Sequence, residues 1–229
     1  MMSKKVGVLL SGCGVYDGSE IQESVFTLLA IAENGGESVC MAPNKDQHHV
    51  LDHTNGNEMN QQRNVLVEAA RIARGEISDL AVIDIEDLDA LVIPGGFGAA
   101  KNLTQWAFNG PDGNIEKGVK QIIMDMVSAR KPIVGLCMGP TVIAKALEET
   151  EIHAHLTVGT DKEPSPYEIG AISQGMEKAG AIAEMKTKTE ILVDEANLII
   201  TAPCYMMEAS IVEVHANIKQ AINQLFAII

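Results

Sequence analysis

Short apolar runs alternate along the chain with longer stretches in which apolar residues recur every three or four positions. The runs at 38–42, 88–93 and 133–136 each border a proline, and the run at 6–10 ends at Ser11-Gly12. Continuous runs of this length predict strands buried on both faces. After the first run, Ile21, Val25, Leu28, Leu29 and Ala32 make a helical stripe, with Asp17 as the expected N-cap and Asn34-Gly35-Gly36 as the stop. Residues 63–74, 115–130 and 169–178 carry further helical spacing, as does the segment opened by Met138-Gly139-Pro140 with Val142, Ile143, Ala146 and Leu147 on one face. Ile211, Val214, Ile218, Ile222 and Leu225 give a final helix. Weaker strands are expected at 155–158 and 182–185. The runs 191–193 and 198–200 flank Asp194-Glu195-Ala196-Asn197 and predict an antiparallel hairpin. Strands alternating with amphipathic helices imply an α/β fold, a mainly parallel sheet covered on both faces. With no repeat, low-complexity segment or linker, the expectation is one domain over 1–229.

In such a sheet the site lies beyond the carboxyl ends of the strands. The segments beginning at Ser11, Pro94 and Cys137 all leave strands there. Around Cys137 the chain reads strand, cysteine, helix, with Gly135 and Gly139 two residues to either side and Pro140 in the first helical turn. This is a nucleophile-elbow pattern carrying sulfur in place of oxygen. A helix N-terminus behind the sulfur favours thiolate. A buried core cysteine is the plainer reading, but it does not require glycines at these offsets. Pro94-Gly95-Gly96-Phe97-Gly98 either brings free N–H groups close to a ligand or is only a tight connection needing positive φ.

Composition narrows the partners. The net charge of -14 and the 3% aromatic content argue against nucleic acid. The four cysteines lie far apart, which suits reduced thiols and neither a disulfide framework nor zinc. No leader is expected before the first strand and no apolar stretch reaches spanning length, so the expectation is a cytoplasmic protein off the membrane. His48, His49, Asp52 and His53 lack convincing ligand spacing, and a solvated loop is expected there. Glu68, Arg71 and Arg74 are expected on an exposed charged face. Gly12, Gly14 and Gly18 invite a dinucleotide, yet Met41-Ala42-Pro43 replaces the acidic residue that such a site needs. The reading calls for no cofactor and no metal.

Glu20 is the natural second member beside Cys137. It also fits a capping box opened by Asp17, and from the residues alone both roles stand.

The stretches Ser11 to Glu20 and Pro94 to Leu103, together with the Cys137 elbow, resemble one family, as do Arg63-Asn64-Val65-Leu66 and Glu68-Ala69-Ala70-Arg71-Ile72. Over nearly the whole chain they are similar to ElbB-type class I glutamine amidotransferase-like proteins of the PfpI and DJ-1 superfamily. The resemblance implies a flavodoxin-like three-layer sandwich, a homodimer, and a reactive cysteine beside a glutamate, mapped onto Cys137 and Glu20. It also implies glyoxalase activity without glutathione, or deglycase activity. Where many superfamily members place a histidine, this chain reads Leu156-Thr157-Val158-Gly159-Thr160-Asp161. His153 and His155 fall toward the far end of their strand, which disfavours glutamine hydrolysis.

The expected function is therefore conversion of glyoxal or methylglyoxal to a 2-hydroxy acid. Cys137 forms the covalent intermediate, Glu20 moves protons, and Gly95, Gly96 and Met138 line the oxyanion and substrate site. The alternatives are a cysteine redox or metabolite sensor and, behind it, a glutaminase-like subunit.

Overall fold

The computed structural model describes residues 3–229. Nine strands are β1 (Lys5–Leu9), β2 (Glu37–Ala42), β3 (Ile77–Asp79), β4 (Ala90–Ile93), β5 (Ile133–Leu136), β6 (His155–Leu156), β7 (Ile182–Ala183), β8 (Leu192–Asp194) and β9 (Ile199–Ala202). The α-helices among the described residues are α1 (Ile21–Glu33), α2 (Val65–Ile72), α3 (Trp106–Asn109), α4 (Lys117–Ser128), α5 (Gly139–Leu147), α6 (Ile169–Lys178) and α7 (Ile211–Ile228). Seven strands form one sheet in the order β3-β2-β1-β4-β5-β9-β8, parallel except for β8 against β9. Helix α1 packs on α7, and α4 packs on α5. Strands β4 and β5 are buried along their whole length, as expected of central parallel strands. The arrangement is the α/β fold with a mainly parallel sheet that the pattern predicts, in the flavodoxin-like form that the resemblance implies.

Four local features differ from the sequence reading. The short edge strand β3 carries no apolar run of its own and was not expected. Strand β6 leaves the main sheet and pairs with β7 in a separate two-stranded sheet. Glu68 is buried and not on an exposed face, with Arg71 at 2.9 Å and Arg63 at 3.4 Å. Helix α1 is reversed: Ile21, Val25 and Leu29 are each 45% exposed, while Glu23, Ser24, Thr27, Ala30 and Ile31 are buried.

The loops at the carboxyl edge are tied to one another. Asn102, in a π-turn over Ala99–Leu103, donates to the carbonyls of Ser11 (2.8 Å) and Asp17 (2.9 Å) and accepts from the His48 amide (2.9 Å). The segment 159–166 is pinned: the Ser165 hydroxyl donates to the Met206 carbonyl and the Glu208 amide to the Pro164 carbonyl. Buried Asn217 of α7 accepts from the Cys204 amide at 3.0 Å and donates to the Glu190 carbonyl at 2.9 Å. Replacing it strands both groups. Asn217→Ala should cost about 2 kcal/mol in urea unfolding, and an unchanged midpoint would remove this tie from the account.

Candidate active site

The chain turns sharply at Cys137, which holds φ at 55° between β5 and α5. Its amide donates to the Ala202 carbonyl at 2.9 Å, continuing the β5–β9 ladder into the turn. The flanking glycines are needed for space. A Cβ on Gly139 would lie 2.5 Å from the Ile93 carbonyl oxygen, and one on Gly135 would lie 2.8 Å from Ile143. The elbow that the spacing predicts is present, and its cysteine is 5% exposed. Positive φ at a non-glycine residue is strain that active sites commonly retain.

The carboxyl against this sulfur belongs to Glu23, not Glu20. Glu20 is the N-cap of α1, and its Oε2 accepts from the Glu23 amide at 2.6 Å. The expected cap, Asp17, is buried elsewhere and accepts from the Leu51 amide. One turn into the helix, the fully buried Glu23 carboxyl receives the Gly95 amide on Oε2 and the Tyr205 amide on Oε1, each at 3.1 Å. It also faces the Cys137 thiol across the Gly95 backbone. Gly95 permits this approach, since a Cβ there would lie 2.7 Å from Cys137 Sγ and 2.6 Å from Glu23 Oε2. The amides of Gly96 and Met138 are directed at the sulfur. The expected donors Gly96 and Met138 therefore face Cys137, whereas the Gly95 amide holds Glu23.

Burial, and then the negative charge of Glu20, push the Glu23 carboxyl up to about 8. Burial also raises Glu20, against the pull of the first-turn amides of α1. Burial and the Glu23 charge raise the Cys137 thiol well above its ordinary value, although the Gly96 and Met138 amides pull the other way. The site thus holds a neutral thiol beside a carboxyl that ionises first, contrary to the expected resting thiolate.

Cys137 opens onto a cavity of about 250 Å³ walled by Phe97, Trp106, Tyr167, Ile172 and Met206, with Glu20 at its edge. Burial pushes the Tyr167 phenol up to about 12, so it remains a donor. Tyr167 and the Tyr205 amide were missed from sequence, as was Glu23. His153 and His155 lie away from the cavity: His153 contacts the Gly180 carbonyl, and His155 contacts Glu184 at 2.7 Å. Among the described residues no cluster of His, Cys, Asp or Glu could hold a metal.

No family model matches the chain. Two curated relatives, each 38% identical over 225 residues, match 96% of this chain and 82% of their own length. They are the rat ES1 protein homolog, mitochondrial, and the human glutamine amidotransferase-like class 1 domain-containing protein 3, mitochondrial. The chain belongs to the glutamine amidotransferase-like class 1 family. A solved structure from Ehrlichia chaffeensis, an isoprenoid biosynthesis protein with an amidotransferase-like domain, is 32% identical. It superposes with a TM-score of 0.89 over 98% of this chain and 99% of that one. Drosophila melanogaster DJ-1beta shares the fold at a TM-score of 0.53 and 15% identity, over 98% of this chain and 96% of its own. The cytoplasmic expectation is corrected by these relatives, because both curated family members are named as mitochondrial proteins.

The Glu23 carboxyl gives this chain a pH signature. Its proton is held more tightly folded than unfolded, with a value of about 8 against an ordinary 4.5. Stability should therefore be fullest below the lower value, fall as pH rises between the two, and level off above the higher. The slope contributed is at most about 1.4 kcal/mol per pH unit. Urea unfolding across that window should show a steeper fall in the wild type than in Glu23→Gln, and parallel curves would mean that Glu23 titrates normally.

Proposed function

We propose that this protein is a glutathione-independent glyoxalase-like enzyme that hydrates small 2-oxoaldehydes to 2-hydroxy acids, with Cys137 as nucleophile and Glu23 as acid and base. The observation that carries the reading is the buried Glu23 carboxyl packed against the Cys137 thiol, whose sulfur opens onto an apolar cavity. A nucleophile needs its base within hydrogen-bond reach, and here a carboxylate fills the place that a histidine would take.

As Cys137 Sγ bonds to the aldehyde carbon, its proton passes to ionised Glu23. Glu23 returns that proton to the new oxyanion, leaving a hemithioacetal and a carboxylate. The carboxylate then removes the hydrogen from the former aldehyde carbon and delivers it to the adjacent carbon through an enediol, while the hydroxyl proton of the first carbon passes to the oxygen of the second. The product of that transfer is a thioester, which water cleaves to release the 2-hydroxy acid and restore the thiol. The Gly96 and Met138 amides steady the oxyanion, worth roughly 3 kcal/mol per donor in hydrolases. Tyr167 supplies a further neutral donor at the cavity wall.

The competing functions fit less well. Glutamine presents an ammonium and a carboxylate, and no basic residue lines the cavity to receive the latter. A peroxide sensor relies on a resting thiolate, whereas burial keeps this thiol protonated.

Methylglyoxal should yield lactate, and Cys137→Ser should abolish it. Glu23→Gln should lower turnover by about a thousandfold, whereas Glu20→Gln should stay within about tenfold of wild type. Because the carboxylate is the active form of Glu23, kcat/KM should rise with pH and flatten above about 8. Loss of turnover in Glu20→Gln with retention in Glu23→Gln would reverse the assignment.

A further inference from the structure

An outer basin of about 380 Å³ adjoins the inner cavity and shares Val15, Glu20, Tyr167 and Tyr205 with it. Two carboxylates, Glu20 and Glu208, line these chambers, and no basic residue lines either. The nearby Lys188 donates to the Glu208 carbonyl, but its charge is paired with Glu213 at 2.9 Å. Lys101 lies behind the wall, 5.3 Å from the Phe97 ring centroid and donating to the Tyr16 carbonyl. An anion in these chambers would lose its water against carboxylates, with no cation in the lining to replace it. The inner walls beyond the sulfur are Phe97, Ile172 and Trp106, which offer a hydrocarbon chain a place out of water. Trp106 is held from behind by α6, where a Cβ on Gly175 would lie 2.9 Å from its ring.

We propose that the site selects uncharged substrates with an alkyl tail, and that Trp106, braced at Gly175, sets the length of tail accepted. Resting on the glyoxalase reading, this assigns the substrate class as alkyl 2-oxoaldehydes longer than methylglyoxal, and excludes phosphorylated or carboxylated ones. Each methylene that reaches the inner wall raises apparent affinity about fourfold, equivalent to ~0.8 kcal/mol, until the tail meets the indole. Trp106→Ala moves that limit to longer tails. Gly175→Ala presses the indole into the cavity and shortens it.

The selection can be read without any turnover. Alkyl methanethiosulfonates of increasing length, with a sulfonate-bearing reagent matched in length, would be reacted with the whole protein. Attachment at Cys137 would be followed by peptide mass mapping, and each variant would be scored by its own ratio of long to short reagent. Neutral reagents should react faster with length up to a limit, and the sulfonate about tenfold more slowly than its neutral match. The limit should lengthen in Trp106→Ala and shorten in Gly175→Ala. Equal rates for the anionic and neutral reagents, or rates indifferent to length and to Trp106, would overturn the proposal even if methylglyoxal is turned over. In parallel, kcat/KM would be measured for methylglyoxal and its longer alkyl homologues. Reagent selectivity without turnover of any aldehyde would support the selection rule and overturn the glyoxalase reading together with the assigned aldehydes.

Discussion

A carboxyl group taken wholly out of water must find donors or keep its proton, and at Glu23 both requirements shape the molecule. Its two oxygens are met by the amide of Gly95, leaving β4, and by that of Tyr205, beyond β9. A side chain at position 95 would occupy the space shared by the carboxyl and the sulfur. The turn bearing Tyr205 is fixed in turn by Asn217 from α7. Three strand ends and two helices thus converge on one carboxyl.

The same convergence determines the chemistry available. The elbow at Cys137 places sulfur under the amides of Gly96 and Met138, which would ordinarily favour thiolate. Burial and the adjacent carboxyl oppose that, so the pair carries its negative charge on the acid before the sulfur. Glu20, one helical turn away, contributes charge and a cap; its pairing is with the Glu23 amide, not with sulfur.

Much of this was legible before any coordinates. Continuous apolar runs located β1, β2, β4 and β5, and the spacing of glycines about Cys137 identified the elbow, because a crowded turn leaves a local mark. Glu23 left no such mark. Its helix presents Ile21, Val25 and Leu29 at spacing that reads as a core stripe, yet those residues face outward. The buried stripe is Glu23, Ser24, Thr27, Ala30 and Ile31, small and polar at its start because it abuts the site. That alternative stripe was the available signal, and hydrophobicity alone ranks it second. Glu20 was preferred for its place beside the glycine-rich loop, where a cap and an acid look alike. Tyr205 and Tyr167 could not be found by spacing, since the crossing of β9 and the pinning of 159–166 are tertiary facts.

The central claim is that Glu23 is the carboxyl held against Cys137 and kept protonated through neutral pH. Isotope-edited infrared spectroscopy of glutamate-labelled protein, with Glu23→Gln as the subtraction, follows that one carboxyl directly. The account predicts a protonated band lost with a midpoint at about 8. A Glu23 carboxyl already ionised at the ordinary pH of an exposed glutamate would contradict it.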